Sequence, residues 1–252
     1  MKAFLLGAGK GTRLAPRTDF TPKCLMPIHG TPILEIWINL LEKYGITDIL
    51  INTHHHAEQV EEFIKGIQKK HGVNITLFHE PVLKGSGGTV LSNRDFVSDE
   101  GDFIIAYADN LTHVNFDKMI DFHLRHCLPN GGCLTMGVRR VEDPSGCGIA
   151  VLDDDKKILR FVEKPSAPVD GMANCGIYVV SEKIFDVLPP DLGNRGGGKE
   201  GAIDFGHHIL PLLAGRMYGC QINEFLMDIG TPDSYEQALR EWKDVDVKKK
   251  SV

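Results

Sequence analysis

The chain has 252 residues, 42% of them hydrophobic and 25% charged, with a formal net charge of −6. This is the composition of an ordinary globular protein long enough to bury a core without staples. The acidic balance excludes a general affinity for nucleic acid or anionic membrane, so any anionic ligand needs a local cluster of basic residues.

Residues 3–6 are an apolar run, expected as a strand, that stops at a cluster of glycines. Residues 32–44 place Ile33, Leu34, Ile36, Trp37, Leu40 and Leu41 at helical spacing, and 57–71 place Val60, Phe63, Ile64 and Ile67 on one face. Short apolar runs at 48–52, 75–78 and 103–107 read as buried strands. Strand and helix alternating at these lengths predict right-handed βαβ units around a parallel sheet. From 133 onward the pattern turns β-rich, with strands expected at 133–138, 148–152, 158–163 and 175–180, and a hairpin turn at 153–157. Helices are expected at 182–188, 204–213 and 232–245, and a glycine-rich loop at 194–199. The Lys248–Lys250 run reads as a solvated tail. The reading is one α/β domain over 1–252, Rossmann-like, with a mixed, mostly parallel sheet flanked by helices. Its first part, to about residue 130, is expected to bind a nucleotide, and the remainder a second substrate.

The six cysteines form no Cys-x-x-Cys pair, the N-terminus lacks a signal-peptide pattern, and no apolar run is long enough to span a bilayer. A cytoplasmic protein with reduced thiols is the expectation, with no membrane partner. Cys24 stands near Lys23 but has no evident histidine partner, which argues against a cysteine nucleophile. His54, His55 and His56 invite a metal reading, yet adjacent residues on an extended segment point to alternate faces. They are read as loop residues, and His207-His208 as part of a helix.

The glycine cluster, Gly7-Ala8-Gly9-Lys10-Gly11-Thr12-Arg13, reads as a phosphate loop. It is not a Walker A loop, because Gly11 follows Lys10 where a magnesium-holding hydroxyl is needed. Glycines at 7, 9 and 11 are too close for the dinucleotide fingerprint, and the following strand ends Ile51-Asn52-Thr53 with no carboxylate for a ribose. Glycines let backbone N–H groups face phosphate oxygens, and Arg13 and Lys23 add fixed positive charge. Asp109 follows the strand at 103–107, at the end of the sheet where open α/β folds bind ligands. Asp228 stands before Gly230-Thr231-Pro232, in which Thr is a good N-cap and Pro fits the first helical turn. Two such aspartates suit Mg2+, which takes a few carboxylates plus water and substrate oxygens.

These segments, in this order, resemble the motifs of sugar-phosphate nucleotidyltransferases, of the mannose-1-phosphate guanylyltransferase type. Ala8 departs from the family's Gly-Gly but is small enough for close approach. The resemblance implies the nucleotide-diphospho-sugar transferase fold. It also implies a Mg2+-assisted in-line reaction of a nucleoside triphosphate with a sugar 1-phosphate, releasing pyrophosphate. Arg13, Lys23 and Asp109 would be the catalytic residues, and Asp109 and Asp228 the metal ligands. Nucleotide contacts are implied for Leu6, Gly7, Ala8, Gly9, Gly11, Thr12, Arg13, Lys23, Glu80, Gly85, Ser86, Gly87 and Asp109. Asn110, Gly148, Glu163 and Lys164 of the Val-Glu-Lys-Pro segment, Asn174 and Asp228 would hold the sugar phosphate. Family members often dimerise, which implies a homo-oligomer.

Within the segment His79–Thr89, Glu80 bears on the base. Guanine offers two adjacent donors that suit an acceptor-only carboxylate, so GTP is favoured, with mannose 1-phosphate or a related sugar. A uridylyl- or thymidylyltransferase acting on glucose 1-phosphate is the alternative enzyme. A non-catalytic nucleotide-sugar-binding regulatory subunit is the alternative from another class. Such a subunit is expected to lack Arg13, Lys23 or one of the aspartates, and all are present.

Overall fold

The computed structural model describes residues 1–144, 146–167, 169–192 and 201–243. In chain order its elements are β1 (Lys2–Leu6), β2 (Pro27–Ile28), β3 (Thr31–Pro32), α1 (Ile33–Lys43), β4 (Asp48–Thr53), α2 (Ala57–Ile67), β5 (Asn74–His79) and α3 (Gly85–Ser92). There follow β6 (Asp102–Tyr107), β7 (Asn110–Thr112), α4 (Phe116–Phe122), β8 (Leu134–Arg139), β9 (Gly148–Leu152), β10 (Lys157–Glu163) and β11 (Met172–Ser181). The last are α5 (Ile184–Val187), β12 (Met217–Gln221), β13 (Leu226–Asp228) and α6 (Pro232–Glu241). The expected loop at 194–199 and the tail at 248–250 lie outside the described residues.

Contacts group the chain into two compact units. The first comprises Met1–Val82, Ala106–Val114 and the described part of Glu224–Val252. In it β1, β4 and β5 lie side by side in parallel, with Leu6 opposite Asn52 and Asn52 opposite Phe78. Phe4, Leu5, Ile49 and Ile51 are wholly buried, as are Ile33, Leu34, Ile38 and Leu41 of α1. The i, i+3, i+4 spacing of the α1 residues is what lets one helix face cover the strands. Trp37 of α1 donates its indole N–H to the Asn110 carbonyl at 2.7 Å, which fixes the start of β7. Antiparallel pairing of β7 with β13 sets Asp228 opposite Asn110. Helix α2 ends at Ile67, four residues short of the expected 71. No apolar residue stands between Ile67 and Val73, so a longer helix would bury nothing.

Helix α6 is fastened to the segment that follows the glycine loop. Arg17 pairs with Glu236 and lies over the Tyr235 ring, the Tyr235 hydroxyl donates to the Pro27 carbonyl, and His29 bonds the Leu239 carbonyl. Thr231 and Ser234 form a capping box at the start of α6.

The second unit comprises Leu83–Ile105 and Asn115–Asn223. Its strands, of which β6 belongs to this unit only through Ile105, run in the order β6-β11-β8-β12-β10-β9. β8 and β12 are parallel, while β11–β8, β10–β12 and β10–β9 are antiparallel. The expectation left 116–130 without a helix, yet α4 and its π and 3-10 continuations occupy it. Phe116, Met119, His123 and Cys127 are buried at helical spacing, so the signal was present. The helix expected at 204–213 is instead a π-helical turn, Phe205–Ile209, followed by a 3-10 turn, Leu210–Leu213. Pro211 cannot donate an α-helical N–H, which breaks the run there.

Candidate active site

The loop after β1 is shaped by close packing. Gly11 has φ +65, and a β-carbon there would lie 2.9 Å from Thr18 Cγ2 and 3.2 Å from Lys23 Cβ. Both the left-handed backbone and the lack of space demand glycine. Thr18, itself buried, donates its hydroxyl to the Gly11 carbonyl at 2.8 Å. Wholly buried Leu14 anchors the 3-10 turn Thr12–Leu14. Gly9, Lys10, Thr12 and Arg13 are left exposed, while Leu6 and Ala8 are buried. Gly7 is among the nucleotide contacts that the resemblance implies, but its own N–H donates to Asn52 Oδ1 at 2.8 Å.

Lys23, Asp109 and Asp228, far apart in sequence, meet in the first unit. The Lys23 ammonium donates to Asp109 Oδ2 at 2.7 Å and to Asp228 Oδ1 at 3.2 Å. The Lys23 side chain is only 6% exposed, against 42% for Asp109 and 53% for Asp228. Arg13 stands at the open side, with its guanidinium 3.9 Å from Asp228 Oδ2. Gly230 makes room for this pair, since a β-carbon there would sit 2.8 Å from Asp228 Oδ2 and 2.9 Å from Arg13. Two half-exposed carboxylates converging on one cation are a donor set that suits Mg2+, which needs few protein ligands when substrate phosphates supply the rest. Asn110, expected on the sugar side, is buried in β7.

Glu80 is not a surface acid. It is 0% exposed, and its Oε1 accepts from Asn52 Nδ2 at 3.0 Å. Direct contact with a base therefore requires Glu80 or Asn52 to move. His54, His55 and His56 each reach a different backbone carbonyl, those of Glu80, Thr18 and Asp19. Cys24 is buried, and its thiol is pushed up to about 12 by that burial, which leaves no thiolate for catalysis.

The remaining expected residues lie in the second unit. Gly85 has φ +77, and a β-carbon there would fall 2.5 Å from the Ile203 carbonyl oxygen. That same carbonyl accepts from the N–H groups of Gly87 and Gly88 at 2.8 and 3.0 Å. The glycine run read as a base contact is thus already engaged in packing against Ile203. Ser86 donates to Asp204 Oδ2 at 3.2 Å and accepts from Phe205 N–H at 2.8 Å.

Glu163, at the end of β10, faces Gly148 and Gly206, where β-carbons would come within 2.4 and 2.6 Å of its Oε2. Burial, and next the Asp204 carboxylate, raises its pKa; Lys164 and His207 oppose the shift. Lys164 is exposed with φ 45, and its N–H donates to the Cys147 carbonyl at 3.1 Å. Asn174 occupies the irregularity in β11, donating to the Tyr178 hydroxyl at 2.7 Å and accepting from Gly176 N–H at 3.0 Å. Asn52 and Asp204 were missed in the sequence. Asn52 ends a strand at the place where a ribose would need a carboxylate, and Asp204 opens an expected helix, so neither carries a site signal.

The nucleotidyl transferase family model matches residues 2–244. A probable mannose-1-phosphate guanylyltransferase 1 of Oryza sativa subsp. japonica is 32% identical over 249 residues, covering 97% of this chain and 65% of the relative. The chain therefore spans just under two thirds of that relative's length. Two solved structures share the fold. A putative glucose-1-phosphate thymidylyltransferase from Bacillus anthracis has a TM-score of 0.80 at 24% identity, covering 98% of each chain. HddC from Yersinia pseudotuberculosis has a TM-score of 0.77 at 23% identity, covering 96% of this chain and 99% of its own. With the nucleotide-diphospho-sugar transferase fold and a family match over nearly its whole length, this chain belongs to the nucleotidyl transferase family.

Proposed function

We propose that the protein joins a nucleoside triphosphate, GTP by preference, to a sugar 1-phosphate of the mannose type, giving an NDP-sugar and pyrophosphate. The observation that carries this reading is the meeting of Lys23 with Asp109 and Asp228 in the unit that also holds the Gly7–Gly11 loop and Arg13. The guanylyltransferase relative supports the choice of base and sugar.

An oxygen of the sugar 1-phosphate attacks the α-phosphorus. The new P–O bond forms as the bond to the β-phosphate's bridging oxygen breaks, and pyrophosphate leaves. The nucleophile is already an anion, so no side chain has to take a proton, and the protein's work is positioning and charge neutralisation. Loop amides after Gly7 hold the triphosphate. Arg13 neutralises charge growing on pyrophosphate, and Lys23 moves from the two carboxylates to a phosphate oxygen. Mg2+, when bound by Asp109 and Asp228, supplies positive charge to the phosphate oxygens. Glu163 accepts from sugar hydroxyls and Lys164 holds the sugar phosphate.

The test is pyrophosphate release with each nucleoside triphosphate against mannose, glucose and heptose 1-phosphates. GTP with a mannose-type sugar is expected to be fastest. A clear preference for UTP or dTTP with glucose 1-phosphate overturns the choice of substrates. Tight nucleotide-sugar binding without turnover would favour the regulatory reading.

A further inference from the structure

Gly7 directly follows β1, Asn52 lies near the end of β4 and Glu80 directly follows β5, and these three neighbouring strands run parallel. They form a relay in which Gly7 N–H donates to Asn52 Oδ1 at 2.8 Å and Asn52 Nδ2 donates to Glu80 Oε1 at 3.0 Å. Asn52 is 5% and Glu80 0% exposed. Backbone contacts hold the far end in place, since Glu80 N–H donates to the Thr53 carbonyl at 2.8 Å and His54 Nδ1–H donates to the Glu80 carbonyl at 2.7 Å. Chemistry fixes the direction of the relay. A backbone N–H can only donate, so Asn52 must turn its oxygen to Gly7 and its nitrogen to residue 80. Residue 80 must then present an acceptor.

The geometry points to Asn52 as a positioning residue for the nucleoside triphosphate, setting the direction in which the phosphate loop leaves β1 according to the acceptor offered by residue 80. The inference rests on the reading of Gly7–Gly11 as a triphosphate cradle. Gly7 N–H is withdrawn from phosphate, and the peptide that follows is aimed by a partly buried bond to Asn52. Buried networks of this kind hold one geometry only while every member is satisfied.

The relay can be broken and then reversed. Asn52→Asp leaves an oxygen that could accept from Gly7 but sets a carboxylate against Glu80 with no donor between them, and the repulsion swings residue 52 away from both partners. Adding Glu80→Gln restores a donor at residue 80, so the polarity of that bond runs the other way while Gly7 keeps its acceptor. Binding is measured by calorimetry with GTP, UTP and dTTP in Mg2+, without sugar phosphate, and the best wild-type ligand is followed. N52D is expected to lose about 10- to 100-fold in affinity. N52D/E80Q is expected to return to within about 3-fold of wild type.

A second readout needs no ligand. The Gly7 amide in 15N-labelled protein should be protected from hydrogen exchange in wild type and in the double variant, and unprotected in N52D. If N52D fails to fold, the double variant carries the test, and its failure to fold or to protect Gly7 overturns the relay. An N52D protein that binds triphosphate as wild type does, with Gly7 still protected, also overturns it. Wild-type protein that binds no triphosphate, while the exchange pattern holds, sinks the cradle reading and leaves the relay standing.

Discussion

Replacing Lys23 with methionine tests the centre of the proposed site. Methionine keeps a long flexible stem in a nearly closed position and removes the ammonium that bridges Asp109 and Asp228 at 2.7 and 3.2 Å. Hydrogen bonds to charged groups contribute about 1.5–3 kcal/mol each when buried. Fully exposed ion pairs contribute about 0–1 kcal/mol. Here the cation is 6% exposed and the carboxylates 42% and 53%, so each contact falls between these limits. About 1 kcal/mol per contact, or about 2 kcal/mol in all, is the expected loss of stability. For a chain of this length that lowers the melting temperature by about 4–8 °C. In the variant Asp109 loses the ammonium and Asp228 keeps only the more distant Arg13 guanidinium at 3.9 Å, so a divalent cation should stabilise it more than it stabilises wild type, where the ammonium already occupies that place. Melting curves of both proteins, with and without 10 mM MgCl2 or MnCl2, check this. A ligand-free variant that melts with wild type, together with equal metal shifts in the two, refutes the reasoning.

Two further substitutions separate function from packing. Glu163→Gln removes a carboxylate whose pKa is raised by burial and by Asp204. A raised folded-state pKa means stability is greatest below the unfolded value and falls as pH rises through the folded one, so the ionised group is a burden at neutral pH. The variant should therefore melt higher than wild type at pH 7, with the gap closing on acidification, while KM for the sugar 1-phosphate rises. A lower melting temperature at pH 7 contradicts the burial argument. Gly85→Ala puts a β-carbon on a backbone with φ +77 and 2.5 Å from the Ile203 carbonyl oxygen. The left-handed backbone alone costs about 1–2 kcal/mol, so a drop of several degrees is expected, and a melting point within 1 °C of wild type shows the contact to be soft.

Much of the site was legible in the sequence because its residues sit in short runs whose neighbours announce them. Arg13 follows a glycine loop, Asp109 follows a buried strand and Asp228 precedes a capped helix. Strand positions were read well in both units, since runs such as Phe103–Ala106 are apolar throughout and wholly or almost wholly buried. Tertiary partners were invisible. Nothing in Ile51-Asn52-Thr53 tells that Asn52 lies between Gly7 and Glu80, because that contact depends on three strands ending side by side. The glycines at 85, 87 and 88 suggested a ligand's approach, yet the backbone of Ile203 takes up that space, and only the folded chain brings it there. The period-3.6 pattern Phe116, Met119, His123, Cys127 is present in the sequence, but His123 and Cys127 weaken it as a helix signal.

The clasp between α6 and the segment 17–29 has a consequence for engineering. Asp228 lies just upstream of α6, Arg13 just precedes the segment that α6 grips through Arg17, Pro27 and His29, and Lys23 lies within it. A truncation ahead of Pro232 would retain every charged residue of the proposed chemistry and still dismantle it. The carboxylate and the two cations would lose the brace that lets them travel as one piece. Shortened versions of the chain and fusion junctions should therefore leave α6 whole, and a tag that crowds its outer face is expected to disturb phosphate binding from the far side of the helix.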